Sequence, residues 1–424
     1  MAKEETSPLT RVGKPRIFYG NIIVVSGFSI MLIIHGIFNT FGIFFTPLLA
    51  EFGTTRAVLS GANSFAFFVT GFLAIIMGIL ADKFGPRVVL TTCTVFFGIG
   101  YLLMSQASAI WQVYLIFIVI GVGLSASDVV PLSIVVRWFV KKRGAMSGIM
   151  KVGTGAGMMA MPLVASGLIG AFDWRTSYII LAALVLVILI PMALLVRRDP
   201  REMGLLPDGE IQEVTESPAL VEQGLSFREA IHTRQLWIVC GFYMTTVFCG
   251  MTLMVHIVPH AVDMGVSAVI AAGTASTIGG TSMLGRFVMG FVGDRIGHKR
   301  AIVICFLMAV ITLSWLQVAR ELWMLYLFAA VYGFNHGGYY ALISPLIAGL
   351  FGTRSQGTIL GIVICSGTIG GGIGMVLAGH IYDITNSYRL AFLILLVLAI
   401  IGLILATLIK PIGKGRTNDS TGRN

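Results

Sequence analysis

Three residues carry a full charge inside otherwise apolar stretches of this chain. Lys151 and Arg286 are the only two of 29 Lys and Arg residues so placed, and Asp128 stands alone among 19 Asp and Glu. Moving a charge into hydrocarbon costs roughly 2.5–3.5 kcal/mol on insertion scales, so such side chains face a water-filled cavity and work there. A guanidinium is a planar fork that stays protonated and meets a carboxylate through two parallel N–H bonds. An ammonium adds field, and a carboxylate can take up a proton. Two fixed cations against one acid suit a small organic anion: a monoanion if Asp128 is ionised, a dianion or an anion plus proton if it is not.

Further polar side chains fall in apolar stretches at helical spacing. Tyr332, Asn335, His336, Tyr339 and Tyr340 follow the i, i+3, i+4, i+7, i+8 pattern of one helix face, read as cavity lining or, near an interface, as belt residues. His336 is the second candidate for proton coupling beside Asp128, because histidine titrates near pH 6.5 when unperturbed; the alternative is a packing residue. His35 and Asn39, and His256 and His260, stack at i, i+4. That spacing would also suit a metal, but no carboxylate or thiolate supports it, so no metal and no cofactor is expected. Ser366, beside Cys365, adds a small polar group.

These residues need elements that hold them at depth. The chain is 56% hydrophobic and 11% charged, with mean hydropathy +0.91, against about 25% charged in soluble domains. It reads as an all-α integral membrane protein. A crossing helix takes about 20 apolar residues, and twelve runs qualify: 18–48, 57–80, 88–107, 111–138, 144–170, 175–196, 235–260, 269–292, 301–319, 323–350, 355–380 and 388–409. The domain reading is a tail 1–17, a six-helix bundle 18–196, a polar linker 197–234, a second six-helix bundle 235–410 and a tail 411–424. Within the linker, Ser226-Phe227-Arg228-Glu229 forms a capping box opening a short surface helix, or else a solvated tether.

Sorting the cations by loop orients the bundle. With both termini on one side, that side collects 23 Lys and Arg and the other only Arg56, Arg175, Arg320 and Arg389. This asymmetry places both termini and the linker in the cytoplasm. The net charge of +10 is spread between spans rather than gathered in one patch, which argues against nucleic-acid binding. All five cysteines lie in apolar stretches, so neither a disulfide framework nor a metal cluster is expected. The polar N-terminus lacks a cleavage pattern, so the first apolar run is read as a retained span.

After the second span stands Gly78-Ile79-Leu80-Ala81-Asp82-Lys83-Phe84-Gly85-Pro86-Arg87; after the eighth stands Gly290-Phe291-Val292-Gly293-Asp294-Arg295-Ile296-Gly297-His298-Lys299-Arg300. Both fit G-x-x-x-D-[KR]-x-G-x-[KR], one per half at the same relative position. On this repeat the chain resembles the major facilitator superfamily over essentially its whole length. Asp82, Arg87, Asp294 and Arg295 are then gating candidates: the glycines allow close helix approach, and each Asp can hold a cation or a helix N-terminus across the cytoplasmic gate. Their cations also serve as topology anchors. The resemblance implies two halves of inverted repeats with substrate near the midplane, and peripheral positions for spans three, six, nine and twelve.

Two further stretches narrow it. The run Arg137 to Gly148 (RWFVKKRGAMSG) and the linker start Arg197 to Gly209 (RRDPREMGLLPDG) are similar to the monocarboxylate-porter and oxalate/formate-antiporter branch. That branch pairs a span-eight Arg with the substrate carboxylate, and Arg286 matches it by position. Three departures stand out. Asn39 lies near the position of a Lys in the animal porters, Ser282 replaces an Asp one turn before the Arg, and span eleven has no cation beyond Arg354 at its mouth. The resemblance therefore carries over neither the animal proton-coupling scheme nor strict oxalate selectivity.

Depth suggests one pairing. Lys151 lies eight residues past Arg143 and Asp128 nine before Arg137, or about 12 and 13.5 Å at 1.5 Å per residue, so an Asp128–Lys151 pair is expected between neighbouring spans. It would serve coupling or be static. Arg286 contacts substrate or forms a structural pair. The glycines of spans five and eleven suit rocking helices or dense static packing.

The expectation is a monomeric secondary transporter of a small carboxylate with a proton or counter-anion, multi-pass in a bacterial inner membrane. Substrate contacts are assigned to Arg286, Lys151, His336, Tyr332, Asn335, Tyr339, His35, Asn39 and Ser366. Rival readings are a proton-driven exporter of drugs or metabolites, and a transporter-like nutrient receptor. No nucleotide-binding loop or nucleophile motif supports an enzyme or an ATP-driven pump.

Overall fold

In a computed structural model, described for residues 18–209 and 224–410, the chain is helical throughout, with a single isolated bridge between Gly224 and Gly352. The expected tails 1–17 and 411–424, and residues 210–223 of the expected linker, lie outside the described residues. The helices are α1 (Tyr19–Phe38), α2 (Phe41–Phe52), α3 (Arg56–Phe84), α4 (Pro86–Met104), α5 (Ile110–Leu124), α6 (Val129–Trp138), α7 (Arg143–Ala171), α8 (Trp174–Leu184) and α9 (Ile190–Leu195). After the linker come α10 (Phe227–Ile231), α11 (Arg234–Asp263), α12 (Ala268–Ile296), α13 (His298–Val318), α14 (Leu322–Phe351), α15 (Gln356–Thr385) and α16 (Arg389–Leu408).

Two expected spans are interrupted. The first divides into α1 and α2 at Asn39 and Thr40, where the Asn39 side-chain amide donates to the His35 carbonyl. The fourth divides into α5 and α6, with Asp128 on the irregular segment between them. A break at depth frees backbone groups and turns side chains toward a cavity, which is tolerated only where protein or water covers it. The sixth span holds a π-helical turn over Val185–Leu189 between α8 and α9.

Ten segments are long and apolar enough to cross a membrane. The helices α12 and α14, 29 and 30 residues long, complete twelve but are too polar for that test. Their Thr274, Ser282, Asn335, His336 and Ser344 are buried, with α12 packed on α14 and on α7. Cross-half packing runs through α3 on α15 and α7 on α12, with α6 and α14 joining in, while α1 packs on α7 and α11 on α15 within the halves.

The linker is docked at both ends. Asp208 accepts from the backbone N–H groups of Val140 and Lys141 at 3.0 and 2.9 Å, and Leu225 N–H donates to the Phe351 carbonyl at 2.8 Å. The Ser226–Glu229 capping box is formed and opens α10.

Candidate functional site

The three charges at depth meet where the halves face each other. The Lys151 ammonium donates to Asp128 Oδ1 at 2.6 Å, so the pair expected from depth is formed between α7 and the break after α5. His35 Nε2 stands 3.3 Å from the same oxygen and 3.2 Å from Ser127 Oγ. Reachability differs within this group: the Asp128 side chain is 27% exposed and that of Lys151 6%. The acid is the most exposed of the three, ahead of His35 at 17%.

Arg286 enters from α12. Its Nη1 donates to the Lys151 carbonyl at 2.7 Å, while its Nε is buried with no hydrogen-bond partner. The Tyr340 ring lies beside both cations, 5.4 Å from Lys151 Nζ and 5.6 Å from Arg286 Cζ at its centroid. Both are within the reach of cation–π attraction. Tyr340 meets Tyr243 of α11 and His336 edge-on, and His336 stacks on Tyr332. Space for the guanidinium comes from α7. Its Gly148 lies against the Arg286 carbonyl, and a side chain at Gly155 would come within 3.3 Å of Arg286 Nη1.

The remaining expected contacts divide. Tyr332 and His336 join the ring column leading to Tyr340, and His336 Nδ1 is buried without a partner. Asn335 is fully buried with both amide atoms unpartnered. Tyr339 turns instead to Phe306 of α13, ring centroids 4.7 Å apart, so it packs within its own half. Ser366 spends its hydroxyl on the carbonyls of Val363 and Cys240 and ties α15 to α11. Asn39 is exposed and bonded to the His35 carbonyl. His256 is held between the Met375 carbonyl and the Tyr388 hydroxyl. Among the described residues no group of three or more His, Cys, Asp or Glu could hold a metal ion.

Residue-by-residue reading missed Tyr340 as a partner of the cations, Tyr243 as the ring behind Tyr340, and His35 as a partner of Asp128. Tyr340 stood in the stripe, but helical spacing does not say that its ring bridges two positive groups on other helices.

The two repeated motifs act in trans. Asp294, at the end of α12, accepts from the backbone N–H groups of Gly144 (2.7 Å) and Ala145 (2.8 Å) at the start of α7. Asp82, at the end of α3, accepts from Thr358 N–H and Thr358 Oγ1, both at 2.9 Å, and from Gly357 N–H at 3.3 Å, at the start of α15. Helix N-termini carry orphan donors and partial positive charge, so an anion there is stabilising. Neither α7 nor α15 has a side-chain cap of its own; the opposite half supplies it.

The motif glycines bring the backbones close enough. A Cβ on Gly78 would strike the Gly357 carbonyl, and one on Gly290 the Gly144 carbonyl. Arg137 pairs with Asp82 at 3.2 Å and His298 lies 3.2 Å from Asp294, whereas the gating candidates Arg87 and Arg295 are exposed and make none of these contacts. Farther along, Gly167 and Gly170 of α7 and Gly279 and Gly280 of α12 would meet nothing within 4 Å. Along α7 and α12, then, the halves are pinned at the motif-bearing face and part toward the other.

Comparison with known proteins agrees with this architecture. Residues 27–286 and 272–423 match the sequence model of the Major Facilitator Superfamily. The chain is 27% identical over 384 residues to monocarboxylate transporter 13 of Rattus norvegicus, covering 89% of this chain and 85% of the relative. It is 24% identical over 428 residues to the oxalate:formate antiporter of Oxalobacter formigenes, covering 97% and 95%. Among solved structures, the human organic anion transporter MFSD10 superposes with TM-score 0.72 at 16% identity, over 91% of this chain and 99% of that one. The E. coli fucose:proton symporter FucP gives 0.68 at 17% identity, over 92% and 97%.

Proposed function

The chain belongs to the major facilitator superfamily, and we propose that it moves a small organic anion of the monocarboxylate type across a membrane by alternating access. One observation carries this reading: the buried Arg286 guanidinium has an unpartnered Nε at the place where Lys151 is already neutralised by Asp128. The cluster therefore holds one positive charge in surplus, on the side chain best shaped for a carboxylate. The relatives named for monocarboxylates and for oxalate and formate support the same class of cargo.

In this reading the carboxylate docks on the free edge of Arg286, and Lys151 supplies field. Tyr340, Tyr332 and His336 shape the wall, with Asn335, Asn39 and His35 lending polar contacts. Protonation of Asp128, the exposed member of the pair, releases Lys151 and strengthens the field for the anion. Loss of the proton re-forms the pair and favours release. Arg286 also bonds the Lys151 carbonyl across the halves, so an arriving anion perturbs a contact between α12 and α7. Asp82 and Asp294 latch the motif-bearing face while the cavity opens on the other. The Lys and Arg asymmetry supports a cytoplasmic position for that latched face.

Uptake of a panel of labelled monocarboxylates and oxalate into proteoliposomes, with and without a pH gradient, tests the reading. Arg286→Gln is expected to abolish flux while the protein still elutes and melts like the parent. Undiminished organic-acid flux in a well-folded Arg286→Gln protein would overturn the assigned cargo, though not the fold.

A further inference from the structure

The face opposite the termini is poor in cations, with four Lys and Arg against 23 on the other side. Two of those four, Arg320 and Arg389, line one pocket of about 620 Å³ where the ends of α11, α13 and α16 meet. By contrast Arg175 on that face is bound to Glu51 at 3.0 Å and to the Ala107 carbonyl. None of the residues lining the pocket is acidic. His260 joins the two arginines with an Nε2 that is buried and unpartnered. The other wall is apolar, built from Met264, Leu316 and Phe392.

We propose that this pocket binds the phosphate headgroup of an anionic phospholipid from the surrounding leaflet. Two guanidinium forks and an imidazole suit the oxygens of a phosphate, and α16, which begins at Arg389, adds the positive end of a 20-residue helix. The apolar wall suits the glycerol and first acyl carbons, which a free phosphate lacks. Depth agrees as well. Trp315 of α13 and Trp323 of α14 stand 5.9 Å apart at this same end, and tryptophans gather at the level of the headgroups. The site is separate from the central cluster and stands whatever the cargo.

Native mass spectrometry of the full-length protein in detergent, titrated separately with phosphatidylglycerol, phosphatidylcholine and inorganic phosphate, tests it. Wild type should retain one phosphatidylglycerol more tightly than phosphatidylcholine. The Arg320→Gln/Arg389→Gln protein should bind it about 30-fold more weakly, the effect of two basic residues near an anionic lipid surface. Both arginines are exposed, so the lipid-free melting temperature should not change. Equal phosphatidylglycerol binding by the two proteins would overturn the proposal. So would binding of inorganic phosphate that phosphatidylglycerol fails to displace, which would mark a site for a soluble anion.

Discussion

Replacing Asp294 with Asn tests whether the two halves are latched by helix caps supplied in trans. The carboxylate uses one oxygen for Gly144 N–H and the other for Ala145 N–H, at 2.7 and 2.8 Å. An amide keeps one acceptor and presents an NH2 to the second donor, so one bond is lost and the other loses its charge. Hydrogen bonds to charged groups are worth about 1.5–3 kcal/mol, and water recovers part of that when the face opens. The closed arrangement should therefore lose about 2 kcal/mol, shifting the closed-to-open ratio roughly 30-fold. Spin labels at Val140 and Ile296, both exposed and on opposite halves near this latch, report it by pulsed electron resonance. Asp294→Asn should add a longer-distance population at the expense of the short one. Asp82→Asn should act likewise through α15, and the two together should add, the latches sharing no partner. A folded Asp294→Asn protein with an unchanged distance distribution would refute trans-capping as the latch.

Other expectations follow from the same contacts. Gly144→Ala places a methyl against the Gly290 carbonyl, at an overpacking cost of about 1–3 kcal/mol, so the same label pair should report opening with both carboxylates intact. Arg286→Lys keeps the charge but loses the fork, and should raise the KM for the carboxylate in proteoliposome uptake while leaving some maximal flux. Asp128→Asn should preserve anion exchange but abolish uphill, proton-driven uptake; unchanged pH dependence would reject Asp128 as the coupling group. Asp173 accepts from Thr176 N–H at 2.8 Å and Thr176 Oγ1 at 3.0 Å at the start of α8, and these bonds hold its carboxyl below the ordinary value. Its stabilisation is complete above the unfolded Asp value of about 3.9 and is lost as pH falls through the lowered one. The melting-temperature gap between wild type and Asp173→Ala in detergent should thus be widest near neutrality and close in acid; a gap that widens in acid would contradict the assignment.

The apolar runs and the placement of Lys and Arg were enough to deduce twelve spans and propose their orientation, because chain length, hydropathy and charge are properties a bilayer reads directly; the doubled Gly-x-x-x-Asp motif pointed to the transporter fold through its resemblance to a known family. Asp128, Lys151 and Arg286 were legible for the same reason, as charges that apolar surroundings do not tolerate without a use. Even the Asp128–Lys151 pair followed from rise per residue, since neighbouring antiparallel helices share a ruler. Only the tertiary structure decided which faces meet. The breaks at Asn39–Thr40 and around Asp128 lie in runs that are apolar on both sides, so hydropathy passes over them. Capping is usually local, yet the caps of α7 and α15 come from residues 150 and 276 positions away. Helical spacing groups Tyr332, Asn335, His336, Tyr339 and Tyr340 on one side, but that side is wide enough to serve two neighbours. Tyr340 therefore reaches the cations while Tyr339 packs on Phe306. Periodicity along one helix specifies an angle; the partner waiting at that angle is a property of the packed bundle.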